Sequence, residues 1–329
     1  MRRIGKAILC VAMATYIAAP FAARAQAQGY PSKAVRIIVP HGAGGPADVP
    51  PRGIAQSLSQ TLGQPFVIEN RDGADGVIGA QACAKAAPDG YTICSTTSSV
   101  ITMNPALRSD LIYDPPRDFS PIIYLGTVND VLLVHPSLKT NSVRGLVELA
   151  KQKPNSITWG GLAGSGIGAM LAGWFKNSLG VSFFQVPYKN NVQSFQATVS
   201  GEVHAMAYII GPAVGMIKSG KVIALAVTGA GRSPMLPDVP SMKELGYDIE
   251  LSAWLGMFAP AGTPAEIINR LNTEISRLLS NSEFRAKFLT TQGIDADEQT
   301  GRPAPEFVRF LQIDRDNIAK VLTVSGMRP

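Results

Sequence analysis

Three segments carry residue types suited to holding an anion. The first is Pro40-His41-Gly42-Ala43-Gly44-Gly45-Pro46-Ala47-Asp48. Glycine lets backbone come close to a ligand. A Gly-rich turn that opens a helix presents free N–H groups and the positive end of a helix dipole, a setting for phosphate or carboxylate. His41, Gly44, Gly45 and Asp48 are its candidate ligand residues. The second segment is Ser95-Thr96-Thr97-Ser98-Ser99, where Thr97, Ser98 and Ser99 offer hydroxyls and N–H groups to an oxyanion. Ser and Thr also favour plain capped turns. The third is Gly161-Leu162-Ala163-Gly164-Ser165-Gly166-Ile167-Gly168, with Ala163, Gly164, Ser165 and Gly166 as candidates. Each segment follows a strand-like run, and the first and third precede a helical pattern. In open α/β sheets, ligands bind outside the carboxyl ends of the strands.

Groupings that would turn a substrate over are missing. Ser165 lacks the G-x-S-x-G frame, because Ala163 stands where glycine is needed. His41, His135 and His204 are far apart and lack ligand spacing, and no Walker loop or zinc motif occurs. The pattern points to binding, with no catalytic residue, metal or cofactor expected. One enzyme reading stays open. Gly42-Ala43-Gly44-Gly45-Pro46-Ala47 fits G-x-G-x-x-A, and Glu69 stands roughly where a ribose-binding acid would. Pro50-Pro51 should break the first turn of the helix that would receive the pyrophosphate. The alternative is a secreted α/β enzyme with a nucleotide-binding loop.

The positioning elements alternate. Strands are expected over 35–39, 65–69, 91–94, 130–135, 157–160, 205–209 and 222–228. Helices are expected over 54–62, 77–86, 142–152, 169–179, 192–200, 214–219, 241–245, 264–280, 282–292 and 303–324. The alternation predicts an α/β architecture with parallel sheets. No repeat or long linker interrupts it, so any domain boundary falls at short crossovers.

The chain has 329 residues with 46% hydrophobic and 16% charged. That is enough for two domains and argues against disorder. The start, Met1-Arg2-Arg3-Ile4-Gly5-Lys6, is cationic; an apolar stretch runs to Ala22, and A-x-A patterns end at Ala25 and Ala27. This is the build of a signal peptide over 1–25, too short and Ala-rich for a membrane span. Removing Arg2, Arg3, Lys6 and Arg24 leaves 26 bases against 24 acids, a charge near +2 rather than the nominal +6. No Lys/Arg cluster remains, so no nucleic-acid partner is expected. Cys83 and Cys94 remain in an oxidising compartment where pairing is possible; two small, separately buried thiols is the preferred reading.

These segments belong to a longer string of motifs. Tyr30-Pro31-Ser32-Lys33, Gly44-Gly45-x-x-Asp48, Glu69-Asn70-Arg71, Pro88-Asp89-Gly90-Tyr91-Thr92 and Asn104-Pro105-Ala106-Leu107 come first. Tyr113-Asp114-Pro115-x-Arg117-Asp118-Phe119, Val186-Pro187-Tyr188-Lys189, Leu236-Pro237-Asp238-Val239-Pro240 and Ala259-Pro260-Ala261-Gly262-Thr263-Pro264 follow. In this order they resemble the periplasmic solute-binding proteins of tripartite tricarboxylate transporters, the Bug (TctC-like) receptors, over essentially all of the mature chain. The resemblance implies a two-lobed Venus-flytrap fold of type II-like periplasmic-binding-protein form with two crossovers. Lobe one would be 29–125 plus 229–329 and lobe two 126–228. It implies a monomeric periplasmic protein that captures a small organic carboxylate in the interlobe cleft and delivers it to membrane permease subunits. The carboxylate would be held by backbone N–H groups, loop hydroxyls and water, on the loops of Gly42–Asp48, Thr97–Ser99 and Ala163–Gly166. A receptor that presents its ligand to a signalling partner is the other reading.

Departures from the family's pattern sharpen the expectation. His41 stands where an aromatic is usual, and Pro50-Pro51 replace ordinary helix residues, which suggests a late helix start near Pro51. Tyr208 stands where the lobe-two strand usually carries an Asp that meets an amino end of the ligand. That substitution disfavours amino acids and predicts a carboxylate with an apolar or aromatic body stacking on Tyr208.

Overall fold

The computed structural model describes residues 29–162 and 166–327. The expected leader over 1–25 and the loop residues Ala163, Gly164 and Ser165 lie outside the described residues.

Val35–Val39 forms β1, a β-branched run buried at four of five positions. It is flanked in parallel by β2 (Phe66–Asn70) and β3 (Thr92–Thr97). Helix α1 (Val49–Leu62) connects β1 to β2, and α2 (Val77–Ala84) connects β2 to β3. The expected break at Pro50-Pro51 does not occur: both prolines sit inside the first turn of α1. The first N–H groups of a helix have no intrahelical acceptor, so proline loses nothing there.

The sheet is mixed, not purely parallel as expected. Its order is β2, β1, β3, β9 (Ser252–Pro260), β4 (Phe119–Val134), β7 (Ala205–Ile209), β5 (Thr158–Leu162) and β6 (Phe184–Tyr188), with β8 (Ile223–Val227) and β10 (Ile294–Asp295) also on β4. Strand β4 (Phe119–Val134) is the long central member. Its first half, through Asn129, runs antiparallel to β9 (Ser252–Pro260), which in turn pairs antiparallel with β3. Its second half, from Asp130, runs antiparallel to β7 (Ala205–Ile209) and β8 (Ile223–Val227). Beyond β7 lie β5 (Thr158–Leu162) and β6 (Phe184–Tyr188), both parallel to their neighbours. One strand therefore belongs to two sheets, and it changes partners between Asn129 and Asp130. Short β10 (Ile294–Asp295) pairs with β4 beside that change, at Thr127 and Val128.

Helices cover both sheets. α3 (Val143–Gln152), α4 (Gly166–Leu179), α5 (Asn191–Ser200) and α6 (Ile210–Lys218) belong to the second; α7 (Ala265–Ser280) and α8 (Ser282–Phe288) belong to the first. The cores are correspondingly separate. Ile37, Ile54, Leu58, Leu255 and Leu271 gather around the first sheet, and Leu132, Trp159, Leu171 and Phe175 around the second. The last helix, α9 (Ala304–Val324), joins them: Phe307 and Leu311 pack in the first region, Ile318 and Leu322 in the second. Just beyond its end, the Ser325 hydroxyl donates to the Met170 carbonyl of α4 at 2.8 Å.

Cys83 of α2 and Cys94 of β3 form a disulfide, with Cα atoms 6.3 Å apart. This overturns the preferred reading of two separate thiols: α2 packs on the sheet next to β3, and the fold brings the pair together. No described helix is long and apolar enough to cross a membrane.

Candidate functional site

Where β4 changes sheets, a cavity of about 760 Å³ opens between the loops at the strand ends. His41, Pro46 and Ala47 reach it from the β1–α1 loop, Thr97 and Ser99 from the end of β3, and Gly166 and Ile167 from the first turn of α4. Asp130 of β4, Ile209 of β7 and Trp254 of β9 form its inner side, with Asp75, Asn104 and Arg108 also lining it. All three segments singled out in the sequence thus meet at one place.

Their individual residues differ in what they do. The His41 ring Nε2 lies 3.2 Å from the Thr97 hydroxyl. Burial pushes the imidazole below its ordinary pKa, against the opposing pull of Asp75 and Asp72. It is therefore neutral at neutral pH, one nitrogen a donor and the other an acceptor. Asp48 does not line the cavity. It is fully buried and ties the loop from behind: Oδ2 accepts from the Gly44 N–H at 2.7 Å and Arg52 Nε at 2.6 Å, and Oδ1 from Asn70 Nδ2 at 2.8 Å. Burial pushes this carboxyl up, but the hydrogen bonds from Arg52, Gly44 and Asn70 outweigh it and hold it below its usual value. Asn70 also donates to the His41 carbonyl at 3.0 Å, so the same network fixes the loop that carries the imidazole. Gly44, at φ +85°, and Gly45 shape the turn behind Pro46 and Ala47 rather than lining the cavity themselves.

The Ser95–Ser99 segment is less of a loop than expected. Ser95, Thr96 and Thr97 continue β3 and pair with Met257, Gly256 and Leu255 of β9. Ser98 is buried, and its hydroxyl accepts from the Trp254 N–H at 3.4 Å. Only Thr97 and Ser99 of the candidates there face the cavity. A π-helical turn (Ser99–Met103) follows.

Tyr208 is placed elsewhere, which corrects its expected place in the cleft. In β7 it is paired with Val131, while its neighbour Ile209 is paired with Asp130. Side chains alternate across a strand, so Ile209 and Asp130 line the cavity and Tyr208 does not. Its ring stacks on Phe195, with centroids 4.4 Å apart and planes at 12°. It borders a neighbouring apolar cavity with Val192, Val199 and Met216.

Asp130 takes the place that Tyr208 leaves. It is 8% exposed, and burial alone pushes its carboxyl up to about 7. Its backbone carbonyl accepts from the Thr228 N–H and hydroxyl, at 2.9 and 3.1 Å. Sequence reasoning had it only as the first residue of a strand. The available signal was a lone acid opening the apolar run Val131-Leu132-Leu133-Val134.

The nucleotide alternative fares poorly in this geometry. Glu69 is engaged by Arg71 and by Arg36, the latter at 3.2 Å. Pro50 and Pro51 remove two of the N–H groups that a pyrophosphate would need at the start of α1.

A mixed sheet shared by two helix-covered regions, with a cavity where the strands change over, defines the fold of periplasmic binding proteins. The chain belongs to the tripartite tricarboxylate transporter receptor family, TctC, whose model matches residues 51–321. It is 33% identical to Protein BugT of Bordetella pertussis over 309 residues, 92% of this chain and 95% of that protein. Among solved structures, R. palustris Rpa4515 with adipate superposes with a TM-score of 0.80 at 32% identity, covering 91% of this chain and 99% of that one. MatC (Rpa3494) from Rhodopseudomonas palustris with bound malate gives a TM-score of 0.75 at 30% identity, covering 89% and 100%.

Proposed function

We propose that this protein is a periplasmic receptor that captures a small organic carboxylate in the cavity beside His41, Thr97 and Ser99, and delivers it to the permease of a tripartite transporter. The observation that carries the reading is convergence: the ends of β1 and β3 and the first turn of α4 bring hydroxyls, N–H groups and a helix N-terminus to one cavity. Such groups suit a carboxylate without an arginine clamp. Family membership supports the reading, as do the relatives solved with adipate and with malate.

The lobes in this reading are 29–125 plus 229–329 and 126–228, with α9 extending from the first onto the second. Ligand touching both favours the closed form, because only differential affinity shifts such an equilibrium. The closed monomer docks on the permease and performs no chemistry itself. Cleavage near Ala25 or Ala27 releases the mature chain into the periplasm.

Thermal unfolding of mature protein, refolded to strip bound solute, against a panel of carboxylates tests the reading. A ligand at 100 times its Kd stabilises by about 2.7 kcal/mol, a shift of a few degrees. A panel spanning mono-, di- and aminocarboxylates with no responder would overturn it.

A further inference from the structure

The cavity holds a carboxyl that accepts no side-chain hydrogen bond from the described residues. Asp130 lines it, is more than nine-tenths buried, and has no hydrogen-bond partner for its side chain among the described residues. This acid is not held in place by the fold in the way that Asp48 is. Asp48 has three donors; Asp130 has none among the described residues, although Asn129 next to it is bonded to Asp295 at 3.1 Å. A buried carboxyl without partners is expensive to keep. The Asp130 oxygens are not among the fully enclosed unpartnered atoms, so they open onto the cavity, where water or a ligand supplies the donor.

The charges around the cavity narrow what that donor is. Among the described lining residues, the acids are Asp130 and Asp75 and the cation is Arg108. Arg108 is already committed: Nε and Nη2 hold the two oxygens of Asp110 at 3.1 and 3.2 Å, and Nη1 reaches the Ala74 carbonyl at 3.5 Å. His41 is neutral. Among the described lining residues no cation is left to balance Asp130, while the donors for an anion are Thr97, Ser99 and the start of α4. A ligand complementary to this arrangement carries a carboxylate at one end and a positive charge at the other.

We propose that Asp130 is a ligand-binding residue that pairs with a protonated amine, so that the cavity prefers aminocarboxylates over the corresponding unsubstituted carboxylates. This rests on the carboxylate-receptor reading above and names the ligand class within it. It also reverses the expectation drawn from Tyr208: the acid that strand β7 lacks is supplied by the facing strand β4, one pairing step away, with Asp130 opposite Ile209.

Isothermal titration of mature, refolded protein with matched pairs provides the test: L-aspartate against succinate, and L-glutamate against glutarate. The wild type is expected to bind the amino member of at least one pair about tenfold or more tightly than its partner. D130N is expected to lose about tenfold or more for that amino acid, and to hold or gain affinity for the plain dicarboxylate. D130S, which removes the carboxyl with less bulk, gives the same reading should D130N fold poorly. Dicarboxylates binding as tightly as their amino counterparts, or D130N leaving amino-acid affinity untouched, would overturn the proposal and leave the carboxylate reading standing. Binding of neither class to the wild type overturns both.

Discussion

Two buried carboxyls flank the same cavity and have opposite fates. Around Asp48, a helix start and two loops converge, and the carboxylate collects donors from Gly44, Arg52 and Asn70. Around Asp130, a strand changes sheets, and the carboxyl collects none from the described residues. The first lies below its ordinary pKa and the second is pushed up to about 7. Burial is common to both, so burial does not decide the role of an acid. Partners do. A satisfied carboxylate such as Asp48 is scaffold; one without donors, such as Asp130 among the described residues, is free for the ligand role proposed above.

The largest expected effect breaks that contrast from the Asp130 side. Its raised folded pKa means that the unfolded chain ionises first as pH rises. The destabilisation is absent below about pH 4, grows up to about pH 7 and is complete above it. D130N removes it, so urea unfolding at pH 8 should show the variant more stable by up to about 4 kcal/mol, with the difference shrinking towards zero near pH 4. A variant less stable than wild type at pH 8 would mean that Asp130 has a protein partner after all. Asp48 should behave in the opposite sense. D48N is expected to lose about 3 kcal/mol at pH 7. Because the folded pKa is lowered, the wild-type advantage exists above the ordinary carboxylate range and disappears as pH falls through the folded value. Equal stability of D48N and wild type at neutral pH would dissolve the distinction.

Smaller effects mark the edges of the cavity. T97V removes the hydroxyl that faces His41 and should weaken carboxylate binding by about 1 kcal/mol, roughly fivefold, with little change in melting temperature. Y208F should change stability by no more than about 0.5 kcal/mol, because no described residue hydrogen-bonds the phenol oxygen and the ring stack on Phe195 survives. Its ligand affinity, read by the same titration, should match the wild type; a loss would bring Tyr208 back to the site.

The contrast between the two acids also explains what could be read from the sequence. Short β-branched or apolar runs gave themselves away: 35–39 and 205–209 are observed as β1 and β7 with the same bounds. The three candidate loops stood out through glycine and hydroxyl chemistry, and residues of all three line one cavity. Elements containing breakers were harder. The first half of β4 carries Pro121 and Gly126, and the ladder with β9 shifts register at both places, so the chain absorbs them as irregularities instead of ending the strand. Thr96 looks like loop chemistry but is a strand residue because β9 pairs with it, a partner 160 positions away in Gly256. The role of Asp130 is non-local in the same sense. Its residue type is visible, but the lack of donors around it is a property of everything else in the fold.

Helix α9 carries a mechanical consequence. From Phe307 to Leu322 it spans about 22 Å at 1.5 Å per residue, with one end embedded beside the first sheet and the other beside the second. It ties together the two core regions that share β4. Any relative rotation of the two regions would have to bend this helix or peel its last turn away from Met170 and Asn177, where Ser325 and the Val324 carbonyl are bonded. Gly326 and Met327, directly after that bonded end, line the cavity itself, so the tie between the two regions ends at the candidate site.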